Sequence, residues 1–426
     1  MGILITDGSC GSVSVVAIIL VLGLVAKDLV YMPGPNVIRT VAQVLCGLAV
    51  CTHVMRGGAV LPLKASWMLV FYWVILALGA IASPYPQFVS LQVASLVVTT
   101  AFLSCYFQQG GEMASSRFTL FSTWVIAAYG ISIIGSLLLP MFNASAAYDV
   151  LYVGGLESTE VRFRGLYPKP SMLASASGLL AGLLLFRRRI TFAGLGLAFL
   201  ALVCMALTQT RTYWASFVLS GAITSWRFIP WVRMRGIWLV AGLSVVLVAI
   251  FLSSKSVHLS ELDKLARADS IQNLSGRTAL WDDALQAIDN RPILGYGFTM
   301  GSLGLSKNRS RSVGDEEVPR LLARETLHNG YLQCILDAGV LGLVFYCAAI
   351  VATIWRAWRD GEGERPEVLF VLLFLALANF GESVIYSGAV FDSLFFWACA
   401  VYALNQGQGG SRATSRAGVV THSILR

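Results

Sequence analysis

His328 stands in Glu325-Thr326-Leu327-His328-Asn329-Gly330-Tyr331-Leu332, where a long polar segment gives way to an apolar run. Imidazole ordinarily titrates nearest neutral pH of all side chains, so a histidine at such a junction can serve as a general base. An interfacial histidine bonded to a neighbouring carbonyl would look the same from position alone. The other three histidines are less suggestively placed: His53 ends an apolar run, His258 opens the polar segment, and His422 lies near the C-terminus.

Two arginines point to an anion. Arg211 lies in Thr208-Gln209-Thr210-Arg211-Thr212-Tyr213-Trp214, at the junction of two apolar runs. A guanidinium at membrane depth is costly and marks a function or a charge partner. Arg277, in Ser275-Gly276-Arg277-Thr278-Ala279-Leu280-Trp281, opens an expected helix whose dipole disfavours a cation there. That placement makes sense if an anion binds, because free N–H groups and the guanidinium would converge on it. Snorkelling to lipid phosphates is the plainer alternative for both. Arg162, Arg164, Lys169, Arg291 and Arg324 are further candidates for holding phosphate or acceptor. Glu382 and Asp392 flank the last outward loop, where an acid beside a basic cavity could pair an arginine or orient a base. Tyr167, Trp214 and Trp281 either stack on sugar or pack.

Metal chemistry has little to work with. Asp282 and Asp283 are adjacent on a helix and point different ways, and no Asp-x-Asp or His/carboxylate ligand spacing occurs. Asp315-Glu316-Glu317 sits in a polar stretch without periodicity and reads as solvated. No P-loop and no Gly-x-Gly-x-x-Gly after a strand appears, so neither a metal nor a cofactor is expected. The eight cysteines form no Cys-x-x-Cys pair and read as small apolar side chains.

The elements that must carry these residues are membrane helices. The chain is 56% hydrophobic and 13% charged, against about 25% charged for a soluble domain. The fold class expected is all-α and polytopic, with about twelve spans, because a lipid-facing backbone must satisfy its hydrogen bonds internally. Windows of about 19 residues place spans near 13–31, 37–55, 65–83, 88–107, 118–142, 171–187, 191–208, 212–228, 236–254, 330–354, 367–386 and 389–405. The N-terminus shows no positively charged leader and no small-residue cleavage site.

Orientation follows from lysine and arginine in the short loops. With both termini cytoplasmic, the inside loops hold Arg56, Lys64, Arg117, Arg187 to Arg189, Arg227, Arg233, Arg235, Arg356, Arg359 and Arg365. The short outside loops hold few: Arg162, Arg164, Lys169 and Arg211. The net charge of +8 is thus a topology signal rather than a nucleic-acid patch. The organisation expected is helices 1–9 over 1–254, an outward loop over 255–329, helices 10–12 over 330–405, and a cytoplasmic tail over 406–426. Within the loop, Ser260–Leu274 and Thr278–Asn290 read as amphipathic helices, the second with Trp281, Ala284, Leu285 and Ile288 on one face. Ser275 can cap that helix and Arg291-Pro292 ends it. Gly295 and Gly297 allow a tight turn, and Asn143–Pro170 reads as turn-rich.

Taken together these motifs resemble those of the O-antigen ligase and polymerase superfamily. His328-Asn329, followed by Gly339 and Gly342, is similar to its histidine motif. Gly276-Arg277 with Trp281, and Arg291-Pro292-x-x-Gly295-x-Gly297, are similar to its loop pattern, with Trp281 standing where that pattern often has leucine. The motifs cover roughly Thr208 to Gly342, while the first half agrees in hydropathy alone. The resemblance implies a GT-C-like enzyme of the bacterial inner membrane, with a periplasmic active site and one large helical loop. It implies a donor glycan linked to undecaprenyl diphosphate, moved with inversion onto an acceptor hydroxyl without a metal. By the same resemblance His328 is the base, and Arg211 and Arg277 bind the diphosphate.

Ligation of finished polysaccharide to a lipid A–core sugar is the leading expectation. Polymerisation of O-antigen or exopolysaccharide on a growing glycan is the runner-up, and glycan transfer to protein is a third variant. A twelve-span transporter or flippase is the rival from another class; such folds show two similar halves and interrupted, charged helices, which this chain lacks. A structural or binding role is the last alternative.

Overall fold

The computed structural model describes residues 8–29, 35–56, 63–108, 112–153, 156–228, 277–301, 305, 327–359, 365–386 and 391–406. The expected span 236–254, the helix Ser260–Leu274, the cap Ser275, the polar stretch 307–319, His258, Arg324 and the tail from 407 lie outside the described residues.

The protein is a helical bundle. Its elements are α1 (Gly8–Lys27), α2 (Pro35–Met55), α3 (Leu63–Ala82), α4 (Pro86–Phe107), α5 (Glu112–Phe142), the short α6 (Ala144–Ala147), β1 (Tyr148–Val153) and β2 (Leu156–Phe163). There follow α7 (Pro170–Leu185), α8 (Phe192–Leu207), α9 (Arg211–Phe228), α10 (Arg277–Asn290), α11 (Gly330–Arg359), α12 (Pro366–Ala378) and α13 (Phe391–Gln406). Eleven of the twelve apolar runs read from hydropathy coincide with helices; the twelfth, 236–254, is outside the described residues. Among the described residues, three helices (α4, α5 and α11) are long and apolar enough to cross a membrane.

Helix starts follow local chemistry. Pro86, Pro170 and Pro366 occupy first turns, where a missing N–H costs nothing. Thr191 caps α8 by accepting the Gly194 N–H at 3.1 Å.

Helices α7, α12 and α13 are apolar almost all round and form the inside of the bundle, as such helices must. Glycine permits the closest approach among them. A Cβ at Gly182 would overlap the Phe370 ring and one at Gly178 the Phe374 ring, so α7 lies directly against the α12 aromatics. We therefore expect Gly182→Ala to lower stability by about 1–3 kcal/mol through overpacking, read as a fall in melting temperature in detergent.

The bundle has two chemically distinct ends. At one, the Arg365 Nη2 donates to the Ser115 carbonyl (2.7 Å), the Ser115 hydroxyl (2.6 Å) and the Thr119 hydroxyl (2.7 Å). Arg117 donates to the Tyr106 carbonyl at 2.7 Å, and Arg227 to the Trp358 carbonyl at 3.1 Å, at this same end. The opposite end carries the starts of α7, α9 and α11, the β-hairpin and α10.

Two sequence expectations need correction. The fold is mostly helical as expected, but 148–163, expected as turn-rich, forms an antiparallel hairpin pairing Tyr148 with Phe163, Asp149 with Arg162 and Val150 with Val161. The signal was present, since Gly154-Gly155 separates two short runs that each carry valine and an aromatic residue. The helix expected over 367–386 ends at Ala378. Asn379 ends it because its side-chain oxygen accepts the Val384 and Ile385 N–H groups, both at 3.1 Å, folding the chain back on itself.

Candidate active site

His328 precedes α11 in a left-handed backbone conformation, φ 51°. A residue with a Cβ holds that conformation only when its surroundings enforce it. They do so on both sides. Asn329 caps α11 through its side-chain oxygen, which accepts the Tyr331 and Leu332 N–H groups at 3.1 Å each. The Gly330 N–H donates to the Asn379 carbonyl at 2.8 Å, and a Cβ at Gly330 would overlap the Asn379 side chain. On the other side, Leu327 is buried, its N–H reaches the Gln333 side-chain oxygen at 3.4 Å, and its carbonyl accepts the Trp281 indole N–H at 2.8 Å.

The turn made by Asn379 brings Glu382 to this histidine. The Glu382 Oε2 lies 2.8 Å from His328 Nδ1. A carboxylate only accepts, so Nδ1 carries the proton and donates, leaving Nε2 as the basic nitrogen. The imidazole side chain is 33% exposed and the carboxylate 13%, so the ring stays accessible while its partner is tucked behind it.

The two expected arginines start helices beside this pair. Arg211 is exposed and is the first residue of α9, and the next residue, Thr212, fills the space over Gly381, where a Cβ would overlap its side chain. Gly381 adjoins Glu382, so the α9 start borders the His328–Glu382 pair. Arg277 is the first residue of α10, one helical turn before Trp281, whose indole is bonded to the residue preceding His328. The Arg277 side chain itself lies outside the described residues.

The remaining candidates are dispersed. Arg162 is on β2 opposite Asp149. The Arg164 Nε donates to the Ala146 carbonyl at 3.1 Å, at the base of the hairpin. Lys169 is exposed just before α7. The Arg291 Nη1 donates to the Ala82 carbonyl at 3.2 Å, and its guanidinium lies 5.2 Å from the Tyr296 ring centre. Asp392 is buried away from the histidine and accepts the Tyr129 hydroxyl at 3.0 Å. Tyr167 packs rather than stacking on a ligand: it is fully buried with its hydroxyl 2.8 Å from Ser132, and burial pushes its phenol well above the usual range.

One feature corrects the sequence analysis, which expected no interrupted helix carrying charge. Helix α11 breaks at Gly339, φ 69°, and the segment after α10 docks into the break. The Tyr296 N–H donates to the Leu336 carbonyl at 3.0 Å, Gly297 to the Asp337 carbonyl at 2.8 Å, and Val340 to the Pro292 carbonyl at 2.8 Å. The buried Asp337 carboxylate accepts the Thr299 N–H at 3.0 Å, the Gly301 N–H, and the Gln333 amide at 3.1 Å. A Cβ at Gly295 would overlap the Asp337 backbone, and one at Gly339 the Ile293 carbonyl. The two glycine motifs therefore interlock. An aspartate within an apolar run was the available signal.

Among the described residues, no group of three or more His, Cys, Asp or Glu side chains is arranged to hold a metal ion. The arrangement offers an imidazole oriented by a carboxylate, with Arg211 starting an adjacent helix. Such a set suits transfer of a group from an anionic carrier to a hydroxyl.

No curated protein matches the chain. Residues 196–347, which include Arg211, Arg277 and His328, match the family model described as O-antigen ligase (Wzy_C), so this region is similar to the O-antigen ligase and polymerase superfamily, whose general activity is glycosyl transfer at a membrane.

Proposed function

We propose that this protein moves a glycan from undecaprenyl diphosphate onto an acceptor hydroxyl, with O-antigen ligation to lipid A–core as its reaction. The observation that carries this reading is the 2.8 Å His328–Glu382 pair, set where the starts of α9 and α11 each pack against the turn that follows α12. In this reading His328 Nε2 takes the proton of the acceptor hydroxyl. The hydroxyl oxygen attacks the anomeric carbon from the face opposite the diphosphate, so configuration inverts. The bond from the anomeric carbon to the diphosphate oxygen breaks, and the diphosphate leaves with the electron pair. Arg211 and Arg277 stabilise that growing charge through bidentate hydrogen bonds, so the reading requires no metal ion. Arg162, Arg164, Lys169, Arg291 and Arg324 are secondary positions around it, of which Arg164 and Arg291 already serve the fold.

The same reading makes 255–329 an outward lid, sets the site at the periplasmic face of the bacterial inner membrane, and leaves both termini cytoplasmic. It is supported by the location of Arg117, Arg227 and Arg365 at the bundle end opposite His328.

The test is to incubate purified protein with a diphosphate-linked glycan, with and without lipid A–core. A product joined to lipid A–core is expected. Elongated glycan on the diphosphate carrier, formed without lipid A–core, would instead identify a polymerase. No product under either condition, with active donor confirmed by another transferase, would overturn the proposal.

A further inference from the structure

The His328 loop is held by two different bodies. Its C-terminal side belongs to the bundle, through the Asn329 cap and the Gly330 bond to Asn379. Its N-terminal side is held by α10 and α11 together: the Trp281 indole N–H lies on the Leu327 carbonyl, the Leu327 N–H reaches the Gln333 side chain, and Leu327 packs in a small core with Ala284 and Ala287 of α10 and Leu336 of α11. Helix α10 is joined to the bundle by the segment docked in the Gly339 break and by Ala284 and Ala287, which share a core with Leu336 of α11. Its Trp281 end carries the hydrogen bond to the loop. If α10 shifts off α11, the Leu327 carbonyl loses this donor, and a left-handed His328 loses one of the contacts enforcing it.

We propose that Trp281 is a positioning residue. Its indole N–H on the Leu327 carbonyl couples the seating of α10 to the placement of His328, so that the base is aligned while α10 is down over the donor. This role rests on the reading of His328 as the base. It accounts for a tryptophan at a position where a leucine could fill the space but could not donate. The shared backbone carbonyl makes the coupling directional: Trp281 sets where the imidazole stands and does not touch the proton it moves. Its loss should therefore appear in turnover rather than in donor affinity.

The test compares Trp281→Phe and Trp281→Leu, which keep an apolar side chain and remove the donor, in the wild-type and Glu382→Gln proteins. Each variant is assayed for transfer from diphosphate-linked glycan, for melting temperature in detergent, and for protease protection of 277–301. We expect both substitutions to lower kcat about tenfold, the scale of a small misplacement of a reacting group, with donor KM changed less than about twofold. In the Glu382→Gln protein they should cost less than about twofold further, because both residues act through one imidazole. Wild-type kcat, a loss confined to KM, losses that multiply with Glu382→Gln, or a collapsed melting temperature in both variants would each overturn the role. If Glu382→Gln alone leaves the rate unchanged, the His328 reading itself fails, whatever Trp281 does.

Discussion

Glu382→Gln should lower the transfer rate about 10²–10³-fold, and His328→Ala about 10²–10⁴-fold, while both proteins keep their fold and donor affinity. The reason is electrostatic and geometric. In the proposed reaction His328 Nε2 takes a proton and the ring becomes an imidazolium, which the carboxylate 2.8 Å from Nδ1 would stabilise. Glutamine preserves the shape but removes the charge, and its amide can turn an N–H toward Nδ1, favouring the wrong tautomer. Because both residues serve one proton transfer in the proposed reaction, adding Glu382→Gln to His328→Ala should cost little more than His328→Ala alone. The measurement is a set of initial rates for the four proteins with saturating donor. Wild-type activity in Glu382→Gln, or losses that multiply in the double variant, would remove the pair from the mechanism.

Gly339→Val should damage stability more strongly than Gly182→Ala does in the inner helices. Three costs coincide there. A β-branched residue must adopt φ near 69°, a conformation that side chains with a Cβ resist. Its Cβ would overlap the Ile293 carbonyl. Relieving that overlap separates the docked segment from α11, losing the bonds of Tyr296, Gly297 and Val340 and leaving Asp337 short of partners in the protein interior. Together these amount to about 3–5 kcal/mol. We expect a lower melting temperature and faster proteolysis within 277–301. Transfer should fall as well, because α10 and Trp281 would no longer sit against Leu327. A Gly339→Val protein with wild-type melting and protease protection would show that the α11 break does not depend on this glycine.

The hydropathy of the chain determined most of the helix positions. Burial in lipid or protein imposes long apolar runs, and such runs are readable one window at a time. Local chemistry was readable as well: the end of α10 before Arg291-Pro292, and the histidine at the start of α11. Left open was which polar groups meet. Glu382 reads equally well as a partner for arginine or for a base. Asn379 made that choice. It is remote from Gly330 along the chain, yet its carbonyl takes the Gly330 N–H at 2.8 Å. Its side chain then turns the following segment so that Glu382 faces His328.

The same holds for the glycines. From spacing alone Gly295 and Gly297 license a turn, and Gly339 is one glycine in an apolar run. Only the packed structure shows that the turn seats in a broken helix, with Asp337 receiving N–H groups from the residues that follow it. Apolar burial is a sum over neighbours along the chain, so sequence determined where the helices run. Hydrogen bonds between distant segments depend on a few ångströms of relative placement, so the pairing of His328 with Glu382, and of Trp281 with Leu327, was decided by the tertiary structure alone.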